Sequence, residues 1–157
     1  MILILHNIRS VYNVGSIFRT ADAAGVTRII LSGYTPGPLD RFNQPRKDFT
    51  KVSLGAEKTV PWERVKTLTA TLAKLKKENC CIVAIEQDVH SIPIFDFNPP
   101  EGKTLLVLVG NEVHGVSKPL LKKADVILEI PMRGKKESLN VSVAAGIALF
   151  ALAHRKF

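Results

Sequence analysis

The sequence predicts an α/β fold: a largely parallel sheet covered by helices on both faces. Three observations predict it. Short apolar runs at residues 2–5, 27–31, 81–85, 105–109 and 126–130 show little polar alternation, as strands buried on both faces require. Stretches with helical periodicity separate them, the order that builds parallel sheets. The 157 residues are 46% hydrophobic and 23% charged, enough for one core. No repeat or low-complexity segment interrupts them, so residues 1–157 are expected to form a single domain.

The elements follow in order. Residues 2–5 read as a buried strand. Asn13 can cap a helix over 14–24, with Gly25 at the position that favours a left-handed backbone. Val14, Ile17, Phe18 and Ala21 give that helix its apolar stripe. After the strand at 27–31, residues 32–51 hold Gly33, Pro36, Gly37, Pro38 and Pro45 and read as a long irregular loop, a feature often tied to function. Pro61 opens a predicted helix to about residue 78, with Val65, Leu68, Leu72 and Leu75 inward. Strands at 81–85 and 105–109 flank a Pro-containing connection over 90–100. A short helix over 117–122 leads to the strand at 126–130. The last helix, about 139–153, is apolar nearly all round and must be buried on most sides. In a chain this short, a second copy is the simplest cover, so a homodimer is expected.

Composition narrows the function. Lys and Arg number 22 against 14 Asp and Glu, a net charge of +8, which favours a polyanionic partner. Basic residues cluster at Arg41, Arg46, Lys47 and Lys51, at Lys118, Lys122 and Lys123, and at Arg133, Lys135 and Lys136. Lys74, Lys76 and Lys77 end a helix, where the dipole favours cations anyway. Adjacent Cys80 and Cys81 point to opposite faces of a strand and cannot form a spaced metal-ligand set, so no metal is expected. They read as buried, reduced thiols of a cytoplasmic protein. The N-terminus lacks the pattern of a signal peptide, and the apolar run 141–153 is too short to span a bilayer.

Three clusters at strand ends hold the candidate chemistry. In residues 7–25, Arg19 lies about 150° from the apolar stripe, free to meet a phosphate or to be merely solvated beside Asp22. In 105–117, the strand breaks at Gly110, followed by Asn111 and Glu112. Gly110 and Gly115 mimic a phosphate loop, but Val116 stands where that motif needs Lys. In 130–143, Ser138 and Asn140 stand at the mouth of the last helix, as caps or as ligand contacts beyond a strand end. His6, His90, His114 and His154 have no partner legible in the sequence. No Gly-x-Gly-x-x-Gly follows a strand, and no catalytic triad stands out.

In this order and spacing, the clusters closely resemble the three motifs of the SpoU-type RNA 2′-O-ribose methyltransferases of the SPOUT, or trefoil-knot, class. The first is Asn13, Arg19, Thr20, Asp22, Ala23 and Gly25; the second Gly110, Asn111, Glu112, Gly115 and Ser117; the third runs from Ile130, Pro131, Met132 and Gly134 to Ser138, Leu139, Asn140, Val141 and Ser142. The resemblance implies a knotted C-terminal segment, which no pattern argument could show because knots are essentially absent from proteins. It implies S-adenosylmethionine bound by Gly110, Asn111, Ile130, Met132 and Leu139, with S-adenosylhomocysteine as product. It implies a dimer with the site at the subunit interface. Arg19 would be the central catalytic residue, with Asn13, Glu112, Ser138 and Asn140 positioning it and the ribose. Without a separate RNA-binding domain, Arg9, Arg41, Arg46, Lys47, Arg133, Lys135 and Lys136 would grip tRNA, or else rRNA. Two other readings stay open: an RNA-binding homologue without catalysis, and an enzyme of phosphorylated small molecules.

Overall fold

The structure, a computed structural model, describes residues 1–154. Its sheet has strand order β3-β2-β1-β6-β4-β7-β5, with every neighbouring pair parallel. The strands are β1 (Ile2–His6), β2 (Arg28–Ser32), β3 (Trp62–Val65), β4 (Cys80–Ile85), β5 (Ile92–Pro93), β6 (Thr104–Val109) and β7 (Val126–Glu129). The helices are α1 (Val11–Ala23), α2 (Lys47–Ser53), α3 (Ala56–Thr59), α4 (Leu68–Lys76), α5 (Lys118–Leu121) and α6 (Val141–Ala153).

Alternate residues of the central strands feed two separate cores, as the period of a strand demands. Leu3, Leu5, Ile29, Leu31, Val83 and Val107 pack with α1 and α6, and Phe18 meets Phe49 of α2 edge to face at 5.1 Å. Ile2, Ile4, Ile30, Ile82, Leu106 and Leu108 pack under Leu68, Leu72 and Leu75 of α4 and Leu120 of α5. Cys80 and Cys81 fall one into each core, and burial pushes both thiols up, so they stay protonated.

The structure moves several boundaries. Helix α1 begins three residues earlier than expected, because Ser10, not Asn13, is its cap: Ser10 Oγ accepts from the Asn13 backbone N–H at 3.3 Å. Its end is as expected. Gly25 (φ +72°) donates to Asp22 O and Val26 to Ala21 O, the paired bonds of a Schellman stop. The helix predicted over 61–78 is a strand followed by a shorter helix. Trp62–Val65 pairs with Ile29–Ser32 at the sheet edge, and Thr67 starts α4. The loop predicted over 32–51 ends in α2, whose Phe49 is fully buried. The connection over 90–100 carries the two-residue β5. The last helix starts at Val141 with Asn140 as cap, and Ser138 lies outside it, exposed. Within the single chain, α6 buries Val141, Ala145, Ala148, Leu149 and Leu152 and leaves Val143 and Phe150 exposed. Among the described residues, no helix is long and apolar enough to cross a membrane.

Candidate functional site

Because the strands are parallel, their carboxyl ends share one rim. In register, Leu5 faces Leu31 and Val109, and Ile85 faces Val109 and Leu128. The chain therefore leaves the sheet side by side at Asn7, Gly33, Glu86, Gly110 and Ile130, where ligands of open α/β sheets bind.

A cleft of about 340 Å³ opens there. Its apolar walls include Ile85, Val109, Ile130, Met132, Leu139 and Ala144. Its charged lining consists of Glu86, Glu112, Glu129 and Glu137; no Lys, Arg or His among the described residues lines it. The Gln87 amide donates to Glu137 O at 2.8 Å and ties the 131–140 loop across the opening.

The turn after β6 closes one side. A Cβ on Gly110 would lie within 2.6 Å of the Gly115 carbonyl group and the Val116 nitrogen, so only glycine admits this approach. Asn111 and Gly115 exchange backbone hydrogen bonds at 3.1 and 2.9 Å. The buried Asn111 side chain fastens the same turn. Its oxygen accepts from Val113 N (2.9 Å) and His114 N (2.8 Å), and its Nδ2 donates to Asn7 O and Tyr34 Oη, both 2.9 Å. Asn111 thus meets the cleft with little side-chain capacity left for a ligand.

The three sequence clusters converge on Glu112. Its carboxylate accepts from Arg9 N at 3.1 Å, Ser10 N at 3.3 Å and Asn13 Nδ2 at 3.1 Å, an anion at the amino end of α1. Partial burial pushes its pKa up. The hydrogen bonds from the Arg9 and Glu112 backbones, Asn13 and Ser10 outweigh that, and the net shift is downward. The carboxylate also fixes the amides beyond it. A carboxylate only accepts, so Asn13 must offer its NH2 there. Asn13 Oδ1 then accepts from Asn140 Nδ2 at 3.3 Å, leaving Asn140 Oδ1 to accept from Ser142 N (2.8 Å) and Ser142 Oγ (2.6 Å). The amide order set at Glu112 thus ends in the cap of α6.

Of the other expected site residues, Ile130, Met132, Leu139 and Ser138 line the cleft with Gly110. Arg19 does not. It lies exposed on α1, six residues and about 9 Å of helix axis beyond Asn13, with no hydrogen bond or ion pair among the described residues. Asp22 accepts instead from Thr59 Oγ1 at 2.8 Å. Arg9, Arg41, Lys47, Arg133, Lys135 and Lys136 are exposed; Arg46 is paired with Asp48 at 2.9 Å. Glu86 was not legible as a site residue, since nothing marks a lone Glu after a strand. Its Oε2 accepts from Val116 N at 2.7 Å and its Oε1 from Gln87 N at 2.9 Å, bracing the turn from below. His114 stands on the same turn, at the edge of a second hollow. Among the described residues, no group of His, Cys, Asp and Glu is placed to hold a metal ion.

Comparison with known proteins fits this geometry. The profile of the family described as SpoU rRNA Methylase matches residues 1–150. An "Uncharacterized tRNA/rRNA methyltransferase" of Archaeoglobus fulgidus is 33% identical over 156 residues, 99% of this chain and 65% of that protein. The 23S rRNA (guanosine-2′-O-)-methyltransferase RlmB of Escherichia coli K12 is 35% identical over 150 residues, 95% of this chain and 58% of that protein. Among solved structures, the AdoMet-bound rRNA methyltransferase from Sinorhizobium meliloti superimposes with a TM-score of 0.86 at 30% identity, over 98% of this chain and 55% of that one. The chain spans less than two thirds of each of these proteins.

Proposed function

The chain belongs to the SpoU rRNA Methylase family, and from that premise we propose that it methylates a ribose 2′-hydroxyl of structured RNA, tRNA or rRNA, using S-adenosylmethionine. One contrast carries the reading. A protein of net charge +8 has, at its strand ends, a cleft whose charged lining among the described residues is Glu86, Glu112, Glu129 and Glu137. Such a cleft repels a phosphorylated small molecule and suits a part-apolar cation, while the basic loops outside it suit RNA.

The residues present fit the donor. Ile130, Met132 and Leu139 offer apolar enclosure, and strand ends at Gly110 and Ile130 offer backbone groups for the adenine. When bound, S-adenosylmethionine supplies a methyl group on a positively charged sulfur, which the carboxylates of the cleft favour. The rest is positioning and proton removal. Arg19 cannot act as the base, because its guanidinium stays protonated. It orients an RNA phosphate and the hydroxyl, and the phosphate or a water takes the proton as the oxygen gains the methyl group. Glu112, Asn13 and Asn140 hold the 110–117 turn, α1 and α6 in one geometry, with Ser138 beside the ribose.

A second copy completes this site. On α6, Val143 (49% exposed), Ile147 and Phe150 (41% exposed) recur at i, i+4 and i+7, an apolar stripe open to water. A homodimer through that stripe and the neighbouring loops buries it. It also gives Arg19, outside its own cleft, a neighbouring cleft to serve. Sedimentation at micromolar concentration is expected to give twice the chain mass.

The deciding experiment is transfer of tritiated methyl groups to undermethylated tRNA and rRNA, with calorimetric titration of S-adenosylhomocysteine. Label resistant to alkaline cleavage at one ribose supports the proposal. RNA binding without label, or no binding of the cofactor product, overturns it.

A further inference from the structure

Beside the carboxylate-lined cleft lies a second hollow of about 510 Å³, lined by Arg9, Tyr34, Asn111, Val113 and His114. Asn111 and Val113 belong to both, so one turn separates the two. Their chemistry is opposite. Among the described residues, the first is lined by carboxylates and no cation, the second by an arginine, a histidine and a tyrosine and no carboxylate.

Tyr34 is held at every handle except its ring faces. Its N–H donates to Asn7 Oδ1 at 3.3 Å, and its hydroxyl accepts from the buried Asn111 Nδ2 at 2.9 Å. Arg64 donates to the carbonyls on both sides of it, Gly33 O and Thr35 O. Thr35, fully buried, bonds Leu5 O and Ser32 O. Yet Tyr34 is 57% exposed, and Val113 beside the same hollow is 72% exposed. A surface ring needs no such scaffold merely to be solvated. A ring that must receive a flat partner does, because prior immobilisation removes the ordering cost of binding.

We propose that this hollow holds the base of the nucleotide being methylated: the base stacks on Tyr34 against Val113 and His114, and Arg9 meets the adjoining phosphate. The inference rests on the reading of the chain as an RNA methyltransferase. Chemistry on a ribose beside a deep cleft is easiest on an unstacked nucleotide, and proteins hold such bases on aromatic faces. Every base has a π-face, so the platform sets position rather than sequence preference.

The test compares Tyr34→Ala, Tyr34→Phe and His114→Ala in full-length protein, with two readouts. One is KM and kcat for methyl transfer to undermethylated total tRNA and rRNA. The other is quenching of 2-aminopurine in a single-stranded oligoribonucleotide, which needs no transfer. Tyr34→Ala is expected to raise KM about 10- to 100-fold and to abolish the quench, with affinity for S-adenosylhomocysteine unchanged. Tyr34→Phe, which keeps the ring and loses only the bond to Asn111, restores most of both; His114→Ala weakens both less. An unchanged KM and quench in Tyr34→Ala overturn the proposal. Equal damage from Tyr34→Phe, or lost cofactor-product binding, also overturns it, by showing that Tyr34 only props the Asn111 turn. If the wild-type protein labels no RNA, the reading of function fails, and the quench alone decides the platform.

Discussion

Replacing Gly115 with alanine probes how the turn between the two hollows is braced. Gly115 has φ +61°, and its new methyl group would collide with Glu86 Oε2 and lie 2.7 Å from Glu86 Cδ. Two costs follow. A left-handed backbone with a Cβ costs about 1–2 kcal/mol. The Glu86 carboxylate can swing away, but it then abandons the Val116 N–H at 2.7 Å, a hydrogen bond to a charged group worth about 1.5–3 kcal/mol, of which the low end applies to a half-buried pair. The sum is about 3 kcal/mol, or about 6–12 °C in Tm for a chain of this size. Thermal and urea unfolding measure it, and calorimetry with S-adenosylhomocysteine reports whether the cleft opens with the turn. A double-mutant cycle gives the sharper check. With Glu86→Ala already in place, Gly115→Ala should cost only the backbone share, about 1–2 kcal/mol. A loss below about 1 kcal/mol in the single variant, or the same loss in both backgrounds, would refute the reasoning.

Other outcomes follow from the same geometry. Arg19→Ala should lower methyl transfer by about 10²-fold or more while leaving binding of S-adenosylhomocysteine unchanged, and Arg19→Lys should not restore it, since an ammonium lacks the planar fork. Ser10→Ala should destabilise the protein by about 1 kcal/mol through loss of the α1 cap, read by denaturant unfolding. Glu112 and Asp125 both have pKa values lowered by folding. At Asp125 the opposing burial is outweighed by bonds from Lys76 and the Ile82 N–H. Their stabilisation is therefore complete above the ordinary carboxylate range and lost as pH falls through the lower folded-state values. Acid unfolding should be shallower in Glu112→Gln and Asp125→Asn than in the parent. Replacing Arg133, Lys135 and Lys136 together with Ala should reduce the slope of log RNA affinity against log salt by about 2–3.

Much of the fold was legible in the sequence because its causes are local. The buried strands announce themselves as unbroken apolar runs, the core face of α1 by Val14, Ile17, Phe18 and Ala21, and its stop by Gly25. Where local causes compete, the sequence misled. Ser10 and Asn13 are equally good caps by type, and the choice fell to Ser10 once Glu112, about a hundred residues away, claimed the Asn13 side chain. Trp62–Val65 precedes helical periodicity and looks like its first turn. It became a strand because Ile29 to Ser32 offered an unpaired sheet edge. A knotted C-terminal segment, which the motif resemblance implies, has no signature in local pattern.

Five of the strands, the core face of α1 and the polar residues at the strand ends were thus legible in the sequence. Those properties depend on neighbours two to four positions apart, the reach of strand and helix periodicity. Tertiary packing is what lets Glu112 order Asn13 and Asn140, gathers carboxylates on one side of the Asn111 turn, and gathers Arg9, Tyr34 and His114 on the other. These arrangements require parallel strands to end on a common rim and loops from distant parts of the chain to close there. No local preference encodes that closure; packing of the two cores enforces it.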